Sequence, residues 1–160
     1  DVPNALYFST VDQPIAVVNT AQVVTFNQTY LESGFSINGA SNSQITATYS
    51  GVYNFQFTTQ IVSGSASSKT IYLWISRNGT DLGYTAKDVI LSGSADVNEA
   101  TWNFNLDLAA GEYVEMKWSS DDIDASLNSE APASPHPGVA SAVVTINFIS
   151  ALPEVRPTPP

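Results

Sequence analysis

Cysteine is absent from the 160 residues of this chain. Its absence excludes disulfide frameworks, thiol nucleophiles, cysteine-based zinc sites and iron–sulfur clusters. Charge is also scarce, because charged residues make up 12% of the sequence, against roughly 25% in average soluble proteins. Five basic and fifteen acidic residues leave a net charge of −10. This acidic balance repels phosphate backbones and anionic lipids, so we expect neither nucleic acid nor membrane as a partner.

Helical periodicity is hard to find, and no apolar run reaches the roughly 18 residues of a membrane span. Short apolar or alternating segments recur instead, separated by turn residues, which is typical of an all-β sandwich or barrel. The length suits one domain. The segments that we predict as strands are Leu6–Ser9, Ile15–Val18, Gln22–Phe26, Phe35–Ile37, Gln44–Ala47, Gly51–Ile61, Thr70–Ser76, Tyr84–Leu91, Glu99–Leu108, Tyr113–Ser119 and Ala140–Ile149.

Two strands carry the clearest patterns. In the first, Tyr53, Phe55 and Phe57 alternate with polar residues, which predicts one core face and one polar face. In the second, Tyr72 and Trp74 alternate with aliphatic residues, so both faces are apolar and both are expected to be covered. A neighbouring subunit is one way to cover the second face.

Turn residues separate these strands. Asn78-Gly79 predicts a type I′ hairpin, which needs positive φ at both central residues. Gly111 stands where a left-handed conformation is expected before the next strand. The longest irregular stretch is Ser119–Pro137, and the residues from Ala151 to Pro160 are rich in proline, which predicts an extended tail.

Four features occur in one order: the strand Tyr49–Phe57, the strand Ile71–Gly79, the pair Trp102–Met116 joined through Gly111, and the closing apolar strand Ala140–Ile149. Over roughly residues 5–150, this order resembles the jelly roll of the complement-type globular head and tumour-necrosis-factor-like superfamily. The resemblance implies an all-β, two-sheet antiparallel jelly-roll sandwich of about ten strands that assembles as a homotrimer through aromatic and aliphatic side chains. It implies one domain over residues 1–150, with 1–9 as an extended N-terminal stretch and 151–160 as a proline-rich tail. The candidate interface residues are Tyr72, Trp74, Tyr53, Phe55 and Phe57.

The segment Trp102–Trp118, its acidic Ser-Ser-Asp-Asp continuation and the turn Ser134–Pro137 are similar to small virion proteins of tailed bacteriophages that share this jelly roll. That similarity implies a non-enzymatic structural protein located at the virion surface. The first expectation is a capsid decoration protein whose ends, Asp1–Ser9 and Ala151–Pro160, act as straps over the major capsid protein.

Two alternatives stay open. A tail-fibre or spike head module, among tail proteins, would bind a host receptor through the loops Ser63–Ser68, Leu91–Val97 and Ser119–Pro137. A secreted complement-type or tumour-necrosis-factor-like ligand, or a glycan-binding domain, is the second alternative.

Metal and catalytic sites receive little support from the sequence. Asp121, Asp122 and Asp124, with Glu130, offer carboxylate oxygens that suit calcium, but their spacing does not fit an EF-hand, and we expect a solvated acidic loop. The single histidine, His136, lies between two prolines, and three copies on a threefold axis are a further candidate metal site. A nucleophile elbow is absent. We therefore expect no enzymatic activity and no cofactor, with calcium as the one alternative.

Overall fold

The computed structural model describes residues 1–158, and within them all regular structure is β-strand. Of fourteen strands, ten have four residues or more, which agrees with the number of about ten that the resemblance implies. In chain order the strands are β1 Asn4–Ser9, β2 Gln13–Pro14, β3 Gln22–Val23, β4 Gln28–Ser33, β5 Phe35–Asn38, β6 Gln44–Ala47, β7 Gly51–Ser63, β8 Lys69–Arg77, β9 Thr80–Asp81, β10 Lys87–Leu91, β11 Val97–Leu108, β12 Tyr113–Ser120, β13 Ala125–Leu127 and β14 Ala142–Ser150.

The strands form two seven-stranded antiparallel sheets. The first sheet runs β2-β13-β7-β14-β1-β4, and β11 pairs with the other edge of β7 over twelve residue pairs. The second sheet runs β10-β8-β12-β6-β5, with β3 on β12 and β9 on β8. The first and last long strands, β1 and β14, are neighbours. This arrangement confirms the predicted jelly-roll sandwich.

Apolar side chains fill the space between the two sheets because alternate residues of each strand point inward. Phe35 of the second sheet meets Tyr53 of the first edge to face, with ring centroids 4.8 Å apart. Phe55 and Phe57 stack at 6.1 Å, and Trp118 is fully buried.

This core corrects one expectation. Tyr53, Phe55 and Phe57 have no exposed surface in a single chain, because their face of β7 is covered by the second sheet. They are core residues and offer nothing to a neighbouring subunit.

Both predicted tight turns have the expected backbone. Asn78 and Gly79 have φ values of 50° and 81°, as a type I′ hairpin requires, and they join β8 to β9. Gly111 has a φ of 85° in the turn between β11 and β12. The turn residues were therefore read correctly from the sequence.

The two chain ends differ from the expected straps. Residues Asn4–Ser9 form β1 inside the first sheet, between β14 and β4, because Ala5, Tyr7 and Ser9 alternate inward and are buried. After β14 the chain turns back, and Arg156 binds acidic groups of the same domain. Residues 159 and 160 of the expected tail lie outside the described residues.

One predicted strand is wrong and one observed strand was not predicted. Ile15–Val18 forms no strand, since only Gln13 and Pro14 pair there, and the exposed strand β4 was not predicted. Over residues 1–158 the chain contains no helix of the length and hydrophobicity needed to cross a membrane.

Candidate functional surfaces

The outward side of the first sheet carries rows of uncharged side chains. Strand register aligns Asn54 with Asn105 and Asn147, and β1 extends that row with Asn4. The next two rows are equally free of ionisable groups; they are Asn103, Gln56, Thr145 and Leu6, and Thr101, Thr58, Val143 and Phe8. We call these three rows the uncharged face.

Hydrogen bonds order part of the uncharged face. Asn54 Nδ2 donates to Asn105 Oδ1 at 2.8 Å and also to Asn103 Oδ1, so one amide of β7 binds two amides of β11. Thr58 and Thr101 lie 3.5 Å apart through their hydroxyl oxygens. These cross-strand contacts hold the amides and hydroxyls of β7 and β11 against the sheet.

The outward side of the second sheet is charged. Tyr72 is 48% exposed there, and its register partners are Asp88 on β10 and Ser119 on β12. Trp74 is half-buried beside Lys117, which forms an ion pair of 3.4 Å with Asp81. The aromatic residues that the sequence suggested as an interface therefore lie among ionised groups.

Sequence reasoning missed a fully buried cation, Lys69. Its ammonium donates to Ser63 Oγ at 2.8 Å, to Ser65 Oγ at 3.1 Å and to the Ser67 carbonyl at 2.9 Å. Asp122 Oδ2 lies 3.9 Å away. Only the run of serines just before this lysine signals a set of oxygens able to replace water around its charge. We call this arrangement the lysine cage.

The aspartates of the candidate calcium site accept hydrogen bonds from backbone N–H groups. Asp121 Oδ1 accepts from the Thr70 backbone N–H at 2.8 Å, and Asp122 Oδ1 accepts from that of Asp124 at 2.8 Å. The Asp124 N–H, and then the Ser67 hydroxyl, lower the pKa of Asp122. Within residues 1–158 no group of three or more His, Asp or Glu side chains is arranged to hold a metal ion.

The other two suggested ligands lie apart from this loop. Glu130 accepts from Gln60 Nε2 at 3.4 Å beside a groove of about 540 Å³ that is lined by Phe8, Ser129, Pro132 and Val139, among others. His136 is exposed, and its Nδ1 lies 2.8 Å from the Pro137 carbonyl. The structure thus does not bring Glu130 and His136 to the aspartates within one chain.

An ion-pair network fastens the tail. The Arg156 guanidinium binds both Asp107 and Glu112, with 2.9 Å between Nη1 and Glu112 Oε1. Asp107 is shared, because Arg77 Nη1 donates to its Oδ1 at 2.8 Å. The hydrogen bond from Arg156 lowers the pKa of Glu112 from 4.5 to about 2, and the two carboxylates raise the pKa of Arg156.

Comparison with known proteins gives one informative result. No protein-family model matches the chain, and no curated protein is similar to it in sequence. A solved structure, the globular domain of zebrafish complement 1qA protein, is similar with a TM-score of 0.56 and 16% sequence identity, covering 94% of this chain and 99% of that one. At this identity the likeness concerns the fold alone, and the chain therefore has the jelly-roll fold of a complement-type globular domain.

Proposed function

We propose that this protein is a non-enzymatic structural and adhesive module that functions as a homotrimer at the surface of a bacteriophage particle. The likeness of fold supports the jelly-roll part of this proposal. The phage part rests on the resemblance that the residues of Trp102–Trp118 and Ser134–Pro137 suggest, and no comparison with known proteins adds to it. The observation that carries the assembly is the uncharged face.

The argument for assembly is electrostatic. Copies that each carry a net charge of −10 repel one another, and a charge buried at a contact must give up its hydration. Three adjacent rows without an ionisable side chain avoid the cost of burying a charge and keep the acidic groups of two copies away from the contact. Half-buried Leu6 and Phe8 at one side of the face, with Leu31 of β4 40% exposed beside them, add apolar area. A second copy is thus the occupant that this face suits best.

The same reasoning disfavours the Tyr72 and Trp74 surface as the trimer contact. Burying it would desolvate Asp88 and the Lys117–Asp81 pair together with the aromatic rings. We therefore move the proposed interface from the second sheet to the first.

Placement on the particle is the finer part of the proposal. The decoration hypothesis relied on two straps, but Asn4–Ser9 belongs to the first sheet and Arg156 fastens the tail to its own domain. The predicted loop Ser119–Pro137 is interrupted by the buried strand β13, but residues 64–68, 92–96 and 128–137 of the three candidate receptor loops are exposed or half-buried. These observations support a tail-fibre or spike head over a capsid decoration protein. A secreted complement-type ligand is the second candidate, supported by the likeness of fold.

Mass in solution tests the assembly. Light scattering of the chain, with and without a calcium chelator, should give about three times 17.1 kDa in both conditions. A monomer would contradict the proposal, and a trimer lost on chelation would assign calcium to the acidic loops. Gold-labelled antibodies against this protein, imaged on intact particles, then show whether it lies on the tail or on the head. If neither is labelled, the proposed location on the virion is wrong.

A further inference from the structure

A groove of about 320 Å³ opens beside the connection between β9 and β10. Leu82, Gly83, Tyr84 and Thr85 form one wall, the end of β11 from Phe104 to Asp107 forms the floor, and Arg77, Pro157 and Thr158 close the remaining side. It shares Asn105 with the uncharged face, and none of its lining residues belongs to the lysine cage.

Tyr84 is the unusual residue of this groove. Its side chain is 98% exposed and its φ is 60°, a left-handed conformation that a bulky residue adopts only when its surroundings impose it. An aromatic ring that is this exposed does not pack against the rest of its own chain. Such a residue indicates a role outside the folding of its own domain.

The neighbours of Tyr84 hold it in this position. Leu82 is buried and its backbone N–H donates to the Ile75 carbonyl at 2.9 Å. Thr85 is also buried, and its hydroxyl donates to the Leu82 carbonyl at 2.8 Å while accepting from the Ile75 N–H at 3.2 Å. The connection is thus tied to β8 on both sides of Tyr84, which fixes the backbone that carries the ring.

The groove combines an apolar floor with polar groups and no unpaired charge. Phe104 is half-buried in the lining of the groove. The exposed Asn105 accepts a hydrogen bond from Asn54 through its Oδ1. Among the hydrogen bonds of residues 1–158, the amide N–H groups of Asn105 have no acceptor. Arg77 and Asp107 neutralise each other at 2.8 Å. A charged ligand would therefore find no free counter-ion here.

From these observations we infer that the groove beside Tyr84 binds a neutral carbohydrate. A sugar ring has an apolar face that stacks on an aromatic ring and a rim of hydroxyls that accept from an amide such as that of Asn105. The volume suits a short oligosaccharide rather than a folded partner. This inference goes beyond the proposed assembly and does not depend on it.

The test begins with the wild-type chain on an array of neutral and charged glycans, followed by calorimetry with the strongest neutral hexose or N-acetylhexosamine oligosaccharide. Tyr84→Ala should weaken that binding by about tenfold or more. Tyr84→Trp should retain it, because stacking is preserved, and its fluorescence should change on addition of sugar. Tyr30→Ala is the matched control, since Tyr30 is 73% exposed on β4 of the other edge.

Three results would overturn the inference: binding of no neutral glycan, binding unaffected by Tyr84→Ala, or a change of molecular mass in Tyr84→Ala, which would place the groove in a subunit contact. Because Tyr84 lies outside the core, its variants should fold, and circular dichroism checks this. Trimer mass is measured separately, so failure of sugar binding does not affect the proposed assembly and loss of the trimer does not by itself affect sugar binding.

Discussion

The outward sides of the two sheets differ in where they place charge. Three adjacent rows on the outward side of the first sheet contain no ionisable group, whereas the outward side of the second sheet carries Asp88 in the row of Tyr72 and Lys117 in the row of Trp74. Each cation has a partner; Lys87, for example, donates to the Thr101 carbonyl at 3.0 Å. In a chain this acidic, we therefore propose the contact surface from the distribution of charge and not from that of aromatic residues.

Introducing charge on the first sheet should have the largest effect. The double variant Gln56→Lys and Thr145→Lys places two cations in adjacent positions of the uncharged face in each copy, so we expect the mass to fall about threefold, to that of a monomer. Tyr72→Lys introduces the same side chain on the second sheet and should leave the mass unchanged. Light scattering at matched concentration gives the molecular mass of both variants. If the two variants have the same mass, the outward sides of the two sheets do not differ as proposed.

Removing the buried cation should have the next largest effect. Lys69→Met keeps most of the side-chain volume but leaves the oxygens of Ser63, Ser65 and Ser67 without their donor, which we expect to cost about 2 kcal/mol of unfolding free energy. Lys87→Met removes an exposed ammonium with a single acceptor and should cost less than about 0.5 kcal/mol. Urea unfolding of each variant gives the comparison, and similar losses would mean that the lysine cage contributes little.

The contribution of the tail's ion pairs to the free energy of unfolding should depend on pH. Because the folded-state pKa of Glu112 is depressed to about 2 from 4.5, its stabilisation is fully present above about pH 4.5 and is lost as the pH falls towards 2. Arg156→Gln should lower stability by about 1 kcal/mol at neutral pH and by progressively less under acid. Urea unfolding midpoints of the wild type and of Arg156→Gln, measured between about pH 7 and pH 2, test this pH dependence. A stability difference between the two proteins that grows as the pH falls would contradict it.

Removing the hydrogen bond between Tyr7 and Glu32, a carboxylate on the edge strand of the first sheet, should have the smallest effect on stability. Glu32 of β4 accepts a hydrogen bond of 2.6 Å from the buried Tyr7 hydroxyl, so this acid is held by the inward side of β1 and not by the uncharged face. Burial, and then Glu32, raise the pKa of Tyr7. Tyr7→Phe should cost about 1 kcal/mol or less in urea unfolding, without a change of mass. A loss of the trimer in this variant would extend the contact surface to β4.

The sequence predicts most of the fold because strong alternation reports burial directly. The pattern from Val52 to Phe57 identifies the inward face of β7, and Asn78-Gly79 identifies a hairpin. Alternation does not report what covers a face, and so the buried aromatics of β7 were also assigned to a subunit contact. The strand β4 escaped prediction because it is exposed along nearly its whole length and carries no inward pattern.

The candidate sites were harder to predict because they depend on register between distant strands. The uncharged face aligns Asn54 with Asn105 and Asn147, residues up to 93 positions apart, and no local motif records that alignment. Lys69 was missed for another reason, since a lysine that follows a run of serines at the start of a strand is normally solvated. Tyr84 appeared only as the start of a strand, and its left-handed backbone became visible in the structure alone.

The lysine cage also bears on the environments that the domain tolerates. The lysine cage links the segment from Ser63 to Lys69 to the neighbouring Asp122 through a cation and oxygen acceptors. In small extracellular domains, such a link between two segments is often a disulfide bond. Such a clasp forms as the chain folds, requires no oxidant and is insensitive to thiol reductants. The domain should therefore keep the same loop geometry on either side of a cell envelope, which thermal unfolding in the presence and absence of a reductant would show as identical midpoints.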